Sequence, residues 1–209
     1  MIRETLPVGL LQCNCTILGD ETSREAIVVD PGDNIPAIQA ILHNHGLTVK
    51  HIIITHAHID HIAGALHLKR LTGAPILYNL NDLPLVKMMD VQASWLRMPT
   101  PEVSPPDAPL TDGQTVSISG LSGTILHTPG HTQGSVCLYL PQQLVLLAGD
   151  TLFAGSVGRT DLPGGDTRQL IDSIQTQILT LPDDVIVYPG HGEPTTIGFE
   201  KENNPFLNE

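Results

Sequence analysis

Short apolar runs recur along this chain, separated by polar stretches rich in glycine and proline. "TLPVGLL" (5–11) and "NCTILGD" (14–20) read as the arms of a hairpin, and "AIVVDPG" (26–32) as a buried strand closed by a Pro-Gly turn. The spacing then becomes helical over 35–45, with Asp33 or Asn34 available as a cap, Pro36 in the first turn and Gly46 at the end. "HIIIT" (51–55) is again a strand. Residues 62–72 repeat apolar side chains at helical intervals and stop at Gly73. "APILY" (74–78) is a short strand, and 82–96 fits a third helix. The proline-rich stretch 97–110 reads as an exposed loop and a candidate lid.

The second half begins with four strands, "QTVSIS", "GTILH", "SVCLYL" and "QLVLLAGD". A helix over 167–179 capped by Asp166, the strand "DVIVYPG" and a polar tail follow. Two strand-rich halves with interspersed helices imply two sheets packed face to face with helices outside. No internal repeat or low-complexity linker divides the chain, and 209 residues fit one domain, 1–209.

The apolar runs have a common ending. "HIIITHAHIDH" (51–61) delivers His56 and His58 from the end of a strand, then Asp60 and His61 at the turn into a helix. "TILHTPGHT" ends on His131, "LVLLAGDT" on Asp150 and "VIVYPGHG" on His191, each beside a glycine. Imidazole suits Zn²⁺, Fe²⁺ or Mn²⁺, and carboxylate adds a hard, charge-neutralising donor. Strand ends are rigid, glycine admits close approach, and so many polar groups would be buried unpaired without a cation. His43, His45, His51 and His67 show no partner pattern, and His127 reads as structural. Asp30, ending "IVVD", either orients a ligand imidazole or caps a turn.

Composition narrows the partners. A net charge of −12 repels polyanions and argues against nucleic acid. No apolar stretch nears the ~20 residues of a membrane span. Cys13, Cys15 and Cys137 are too few for a disulfide framework and read as small buried hydrophobes. The first residues lack the apolar region of a signal peptide, so a cytoplasmic protein is expected.

"THAHIDH", "PGHT", "AGDT" and "PGHG" together resemble, in order and spacing, the metal motifs of the metallo-β-lactamase-fold hydrolases. "GSVGRTDLPGGD" (155–166) and "TTIGFEKENNPFL" (195–207) are similar to the small glyoxalase II-like branch, the hydroxyacylglutathione hydrolases. The resemblance implies an α/β fold, a four-layer αβ/βα sandwich with the site at one edge of the sheets. It implies two divalent ions, zinc first, with iron or manganese accepting the same donors. His56, His58 and His131 would hold one ion, Asp60, His61 and His191 the other, and Asp150 both. A hydroxide between the ions would cleave a small acyl thioester. Asp60 and Asp150 are the carboxylates on which catalysis would depend, as ligands rather than as acid–base groups.

Glyoxalase II proper adds a basic helical region for glutathione, whereas residues 192–209 here contain Lys201 as their one base. Arg159 is the remaining candidate to bind a substrate carboxylate, its other reading being a local salt bridge. Persulfide dioxygenases share the fold and a "GRTD" segment like 158–161, and would hold one iron through His56, His131 and Asp150. They usually lack the "PGHG" form, which favours the hydrolase. A lactone or ester hydrolase and a non-catalytic metal-loaded domain complete the readings.

Overall fold

The computed structural model describes residues 1–208. The first hairpin consists of β1 (Ile2–Val8) and β2 (Cys13–Gly19), with Val8 opposite Cys13. The arms are as long as expected, but the first lies three residues earlier than the apolar run suggested, and Leu10 and Leu11 sit exposed in the turn. β3 (Glu25–Val29), α1 (Ile35–Asn44) and β4 (Thr48–Ile53) form a parallel crossover unit. Neither expected cap of α1 acts. Asn34 takes a left-handed conformation without a side-chain cap bond, and the Asp33 carboxylate accepts the Asn34 N–H instead.

The helix expected over 62–72 is two pieces, α2 (Ile59–Ile62) and α3 (Ala65–Thr72), ending at Gly73 as expected. They part at Gly64, where a Cβ would lie 2.3 Å from the Pro31 carbonyl oxygen, so Pro31 sits against the break. β5 (Ile76–Tyr78) follows. The helix expected over 82–96 is likewise divided, into a 3₁₀ turn (Leu80–Asp82), α4 (Leu83–Lys87) and α5 (Met89–Trp95). Met88, at φ −100° and ψ 19°, makes the joint.

The 97–110 stretch ends in an edge strand, β6 (Ala108–Pro109), and is pinned down rather than free. Asp107 accepts the Ile76 N–H and pairs with Lys69, Glu102 pairs with Arg70, and the Tyr78 hydroxyl donates to Ser104 O at 2.9 Å. These bonds tie the stretch to α3 and β5 in this conformation.

β7 (Thr115–Ile118), β8 (Leu121–His127), β9 (Val136–Leu140) and β10 (Val145–Gly149) form an antiparallel meander. A small hairpin, β11 (Leu152–Phe153) and β12 (Ser156–Val157), leads to α6 (Thr167–Ser173), which Asp166 caps through the Gln169 N–H as expected. One π turn, 174–178, extends α6. β13 (Ile186–Pro189) pairs parallel to β10, then β14 (Thr195–Thr196) and α7 (Ile197–Asn203) close the chain.

One sheet runs β1-β2-β3-β4-β5-β6 and the other β14-β13-β10-β9-β8-β7. Their facing sides bury Leu18, Ile27, Val29 and Ile53 against Val116, Ile125, Leu138 and Leu147. The outer face of the first sheet packs on α1 to α5, and that of the second on α6, the π turn and α7. This is the expected α/β sandwich of four layers. At one end the sheets are stapled together: Val136 N–H donates to Thr55 O (2.9 Å) and Asn14 N–H to Gly190 O (2.7 Å). Among the described residues, no helix is long and apolar enough to cross a membrane.

Candidate metal centre

The stapled end is where the loops after β4, β8, β10 and β13 meet. All seven donors expected from the sequence are brought together there. His56 Nε2, His58 Nδ1 and His131 Nε2 form a triangle with sides of 3.1, 3.2 and 3.0 Å. A tetrahedral ion with bonds of about 2.0–2.1 Å to nitrogen separates its donors by about 3.3 Å, so this triangle fits one.

The other ring nitrogens fix the tautomers. His131 Nδ1–H donates to Arg159 O at 2.7 Å. Thr55 Oγ1 gives its proton to Asp30 Oδ2 (2.7 Å) and can accept from His56 Nδ1–H (3.2 Å). Both rings are left with a bare Nε2 aimed at the common point. Burial, reinforced by neighbouring imidazoles, pushes His56 far below the ordinary histidine range and His58 to about 3. Burial also lowers His131, against the pull of Asp150. Neutral imidazole is the form that binds metal.

A second group lies beside the first. Asp60 Oδ2 is 3.6 Å from His61 Nε2 and 3.1 Å from His191 Nε2. His61 Nδ1–H donates to Asp30 Oδ2 at 2.9 Å and His191 Nδ1–H to Leu11 O at 3.1 Å, which turns each Nε2 toward the carboxylates. Burial opposes their charge, but the neighbouring anionic groups outweigh it and raise both imidazoles above the ordinary range, so a metal ion would take the place of a proton on each Nε2. Burial opposes the charge of Asp60, but His61 and His191 outweigh it and hold the carboxyl below its usual range. Asp150 spans both groups: Oδ1 is 3.5 Å from His61 Nε2, and Oδ2 is 3.6 Å from His131 Nε2 and 3.7 Å from His191 Nε2. His61 Nε2 and Asp150 Oδ1 are buried with no hydrogen-bond partner. Leaving such groups unpaired costs roughly 1–3 kcal/mol each, and cations between them would remove that cost. The donor set therefore fits two metal ions.

Asp30 was offered by the sequence with two readings, whereas Asp82 and Gln92 gave no signal of their roles. Asp30 is 2 % exposed and takes the Thr55 N–H (2.7 Å) as well as Thr55 Oγ1 and His61, so it orients a ring rather than capping a turn. Asp82, buried, accepts from Ala57 N (2.8 Å), Thr132 Oγ1 (2.9 Å) and Gly134 N (2.7 Å). It thereby ties the His56–His58 loop to the His131 loop. Gln92 accepts the Ile59 N–H (2.9 Å) and donates to Ala57 O (3.3 Å) and Leu85 O (3.0 Å). Its place at the face of a helix was legible, but not its target.

A cavity of about 620 Å³ opens over the donors, with Leu11, Ile59, Trp95, Leu96 and Leu162 forming its wall. Arg159 also lines it, but its guanidinium forks onto Asp161 at 2.8 and 2.7 Å. The local salt bridge is present, and it is the Arg159 carbonyl that touches the donor set. His127 Nε2 lies 3.0 Å from Gln133 O, away from the donors. The three cysteines are free and buried, with burial raising Cys13 to about 12 and Cys137 to about 11.

Known proteins share this chain's sequence pattern and fold. A family model of the metallo-β-lactamase superfamily matches residues 8–191. Hydroxyacylglutathione hydrolase GloC of Haemophilus influenzae is 38% identical over 98% of this chain and 97% of its own. Among solved structures, the B3 metallo-β-lactamase BLEG-1 has a TM-score of 0.89 at 35% identity, with both chains fully covered. TTHA1623, solved in a di-iron-bound form, has a TM-score of 0.88 at 37% identity over 99% of this chain and 100% of that one. ETHE1 from Myxococcus xanthus has a TM-score of 0.83 at 30% identity over 98% and 84%. With its fold, its donor set and these relatives, the chain belongs to the metallo-β-lactamase superfamily of metal-dependent hydrolases.

Proposed function

We propose that this protein is a dinuclear metal-dependent thioester hydrolase of the glyoxalase II type. The observation that carries the reading is Asp150, whose two oxygens face His61 on one side and His131 on the other. His56, His58 and His131 would hold the first ion, Asp60, His61 and His191 the second, and Asp150 would join them. Divalent ions held by these residues would act as Lewis acids that lower the pKa of water toward neutrality. The GloC relative supports a thioester of the hydroxyacylglutathione type.

The chain's own groups suit that chemistry. Apart from Arg159, every titratable side chain lining the cavity belongs to the donor set. No separate acid stands ready to protonate a leaving group, and a thiolate needs none. Asp60 and Asp150 would then serve as ligands. The backbone carbonyls of Leu11 and Arg159 keep the rings of His191 and His131 from turning. Zinc is the ion proposed, and iron is the alternative, since the relative TTHA1623 was solved in a di-iron-bound form. The cytosol is the proposed place of action, with residues 1–209 working as one domain and three thiols free.

A second reading, a one-iron persulfide dioxygenase using His56, His131 and Asp150, draws on the likeness to ETHE1. Elemental analysis of the purified protein, with assays of S-D-lactoylglutathione hydrolysis and of oxygen uptake with glutathione persulfide, separates the two. About two metals per chain with thioester turnover is expected. A single iron with oxygen uptake would replace the first reading with the second.

A further inference from the structure

The segment after the last donor, His191, supplies nothing to the donor set, yet it buries a carboxylate. Glu200 on α7 is 0% exposed, and so is Asn204 just beyond the helix. Glu200 Oε2 accepts the Gly155 N–H (3.0 Å) and Asn204 Nδ2–H (2.7 Å), and Oε1 accepts the Thr195 hydroxyl (2.6 Å). Asn204 Nδ2 also donates to Ser156 O at 3.1 Å. A buried carboxylate is costly unless donors surround it, and bonds to an ion are stronger than neutral ones. The donors Glu200 collects are therefore held firmly, and one of them is remote in sequence.

Gly155 sits in the turn of the β11–β12 hairpin, and Ser156 opens β12. That hairpin joins two parts of the metal centre. It begins just after Asp150 and ends just before Arg159, whose carbonyl accepts His131 Nδ1–H at 2.7 Å. The joint is close: Gly158 N–H donates to Thr151 O (3.3 Å), and a Cβ built on Gly158 would lie 1.9 Å from Asp150 O and 3.2 Å from His131 Cβ. Each strand of the hairpin has two residues, and so short a pairing does not hold its shape alone. Glu200 and Asn204 grip its far end.

We infer that Glu200 is a positioning residue of the metal centre: with Asn204 it clamps the β11–β12 hairpin so that the Arg159 carbonyl keeps His131 Nε2 aimed at the first ion. The role rests on the dinuclear hydrolase reading for the ion and on the hydrogen bonds alone for the clamp. The two can fail separately.

Wild type, Glu200→Ala, Glu200→Gln and Ile197→Ala are compared, metal-free and zinc-loaded. Zinc affinity is read by chelator competition, and the imidazole N–H signals by nitrogen-edited NMR. His131 Nδ1–H, bonded to Arg159 O, and His61 Nδ1–H, bonded to Asp30, should both exchange slowly with water. In Glu200→Ala the His131 signal should be lost to exchange while that of His61 persists, and zinc affinity should fall about ten-fold. Asn204→Ser, a milder change that frees Ser156 O, should shift both readouts the same way. Glu200→Gln keeps an oxygen for Gly155 and Asn204 and turns its amide to the Thr195 hydroxyl, which can accept, so it should retain the His131 signal. Ile197→Ala removes a fully buried side chain from the same helix without touching the clamp, and should lower the urea midpoint while leaving both readouts unchanged. A His131 signal that survives in Glu200→Ala and Asn204→Ser, or that is lost equally in Ile197→Ala, overturns the inference. If the signals behave as expected while the wild type fails to bind two zinc ions or to cleave S-D-lactoylglutathione, the hydrolase reading falls and the clamp stands.

Discussion

Asp30 Oδ2 lies 2.9 Å from His61 Nδ1, and the same carboxylate takes both the N–H and the hydroxyl of Thr55. One buried side chain thus orients His61 directly and His56 through Thr55. Asn at position 30 would tolerate the left-handed backbone (φ 52°) but would turn an amide toward one of three donors. Asp30→Asn should weaken metal binding about 10–100-fold, with the ion between Asp60, His61 and His191 lost first. Chelator competition with elemental analysis measures this, and two ions bound at wild-type affinity would refute the orienting role.

Gly190 leaves room for a donor. A Cβ built there would lie 2.2 Å from Asp150 Oδ1 and 2.8 Å from His61 Cε1. Gly190→Ala should displace Asp150 and lower the metal content, while circular dichroism stays that of a folded chain. Retention of both ions would mean that the carboxylate can move aside without cost.

Asp150→Ala and His58→Ala should each abolish thioester turnover, a loss of at least 1,000-fold in kcat if the two ions act as a unit. Steady-state assays with metal in excess test this. Wild-type rates in Asp150→Ala would mean that this residue does not join the two sites.

Asp82 receives three donors from two loops. Its replacement by Asn sets an amide against a backbone N–H, so Asp82→Asn should lose about 1–3 kcal/mol in urea unfolding of the metal-free protein. A midpoint unchanged from wild type would show that the carboxylate is not what holds the loops.

Acid should destabilise the metal-free protein in a defined window. Burial keeps His56, His58 and His131 neutral in the folded chain, with His58 at about 3, while unfolded histidine titrates near 6.5. The folded values are depressed, so the stability they contribute is present above pH 6.5 and is lost as pH falls toward 3. The expected slope is about 1.4 kcal/mol per pH unit for each imidazole that the unfolded chain protonates and the folded chain does not. Urea midpoints between pH 4 and 7 in the presence of a chelator measure it, and a flat profile would contradict it.

Much of the site was legible because its donors sit where local patterns end. His56, His58, Asp60, His61, His131, Asp150 and His191 all follow apolar runs whose period marks a strand, and strands carry their ends to one edge of a sheet. The helix over 82–96 was legible as apolar periodicity but not as three pieces starting at Leu80, because Met88 takes a non-helical conformation that periodicity does not record. The caps of α1 were misjudged because capping depends on the φ and ψ of Asn34 and not on its type alone.

The sequence by itself determined which residues could be donors, the order of strands and helices, and the sandwich they build, since these follow from spacing and side-chain chemistry along a short stretch. Tertiary structure alone decided that Asp82 reaches Gly134, that Gln92 spends its amide on Ala57 and Leu85, and that Arg159 turns to Asp161. It also decided that leucines and a tryptophan, and not free charges, border the donors. The reason is physical: a carboxylate or amide binds whichever partner folding brings within 3 Å, and the partner of Asp82 lies 52 positions away in the chain.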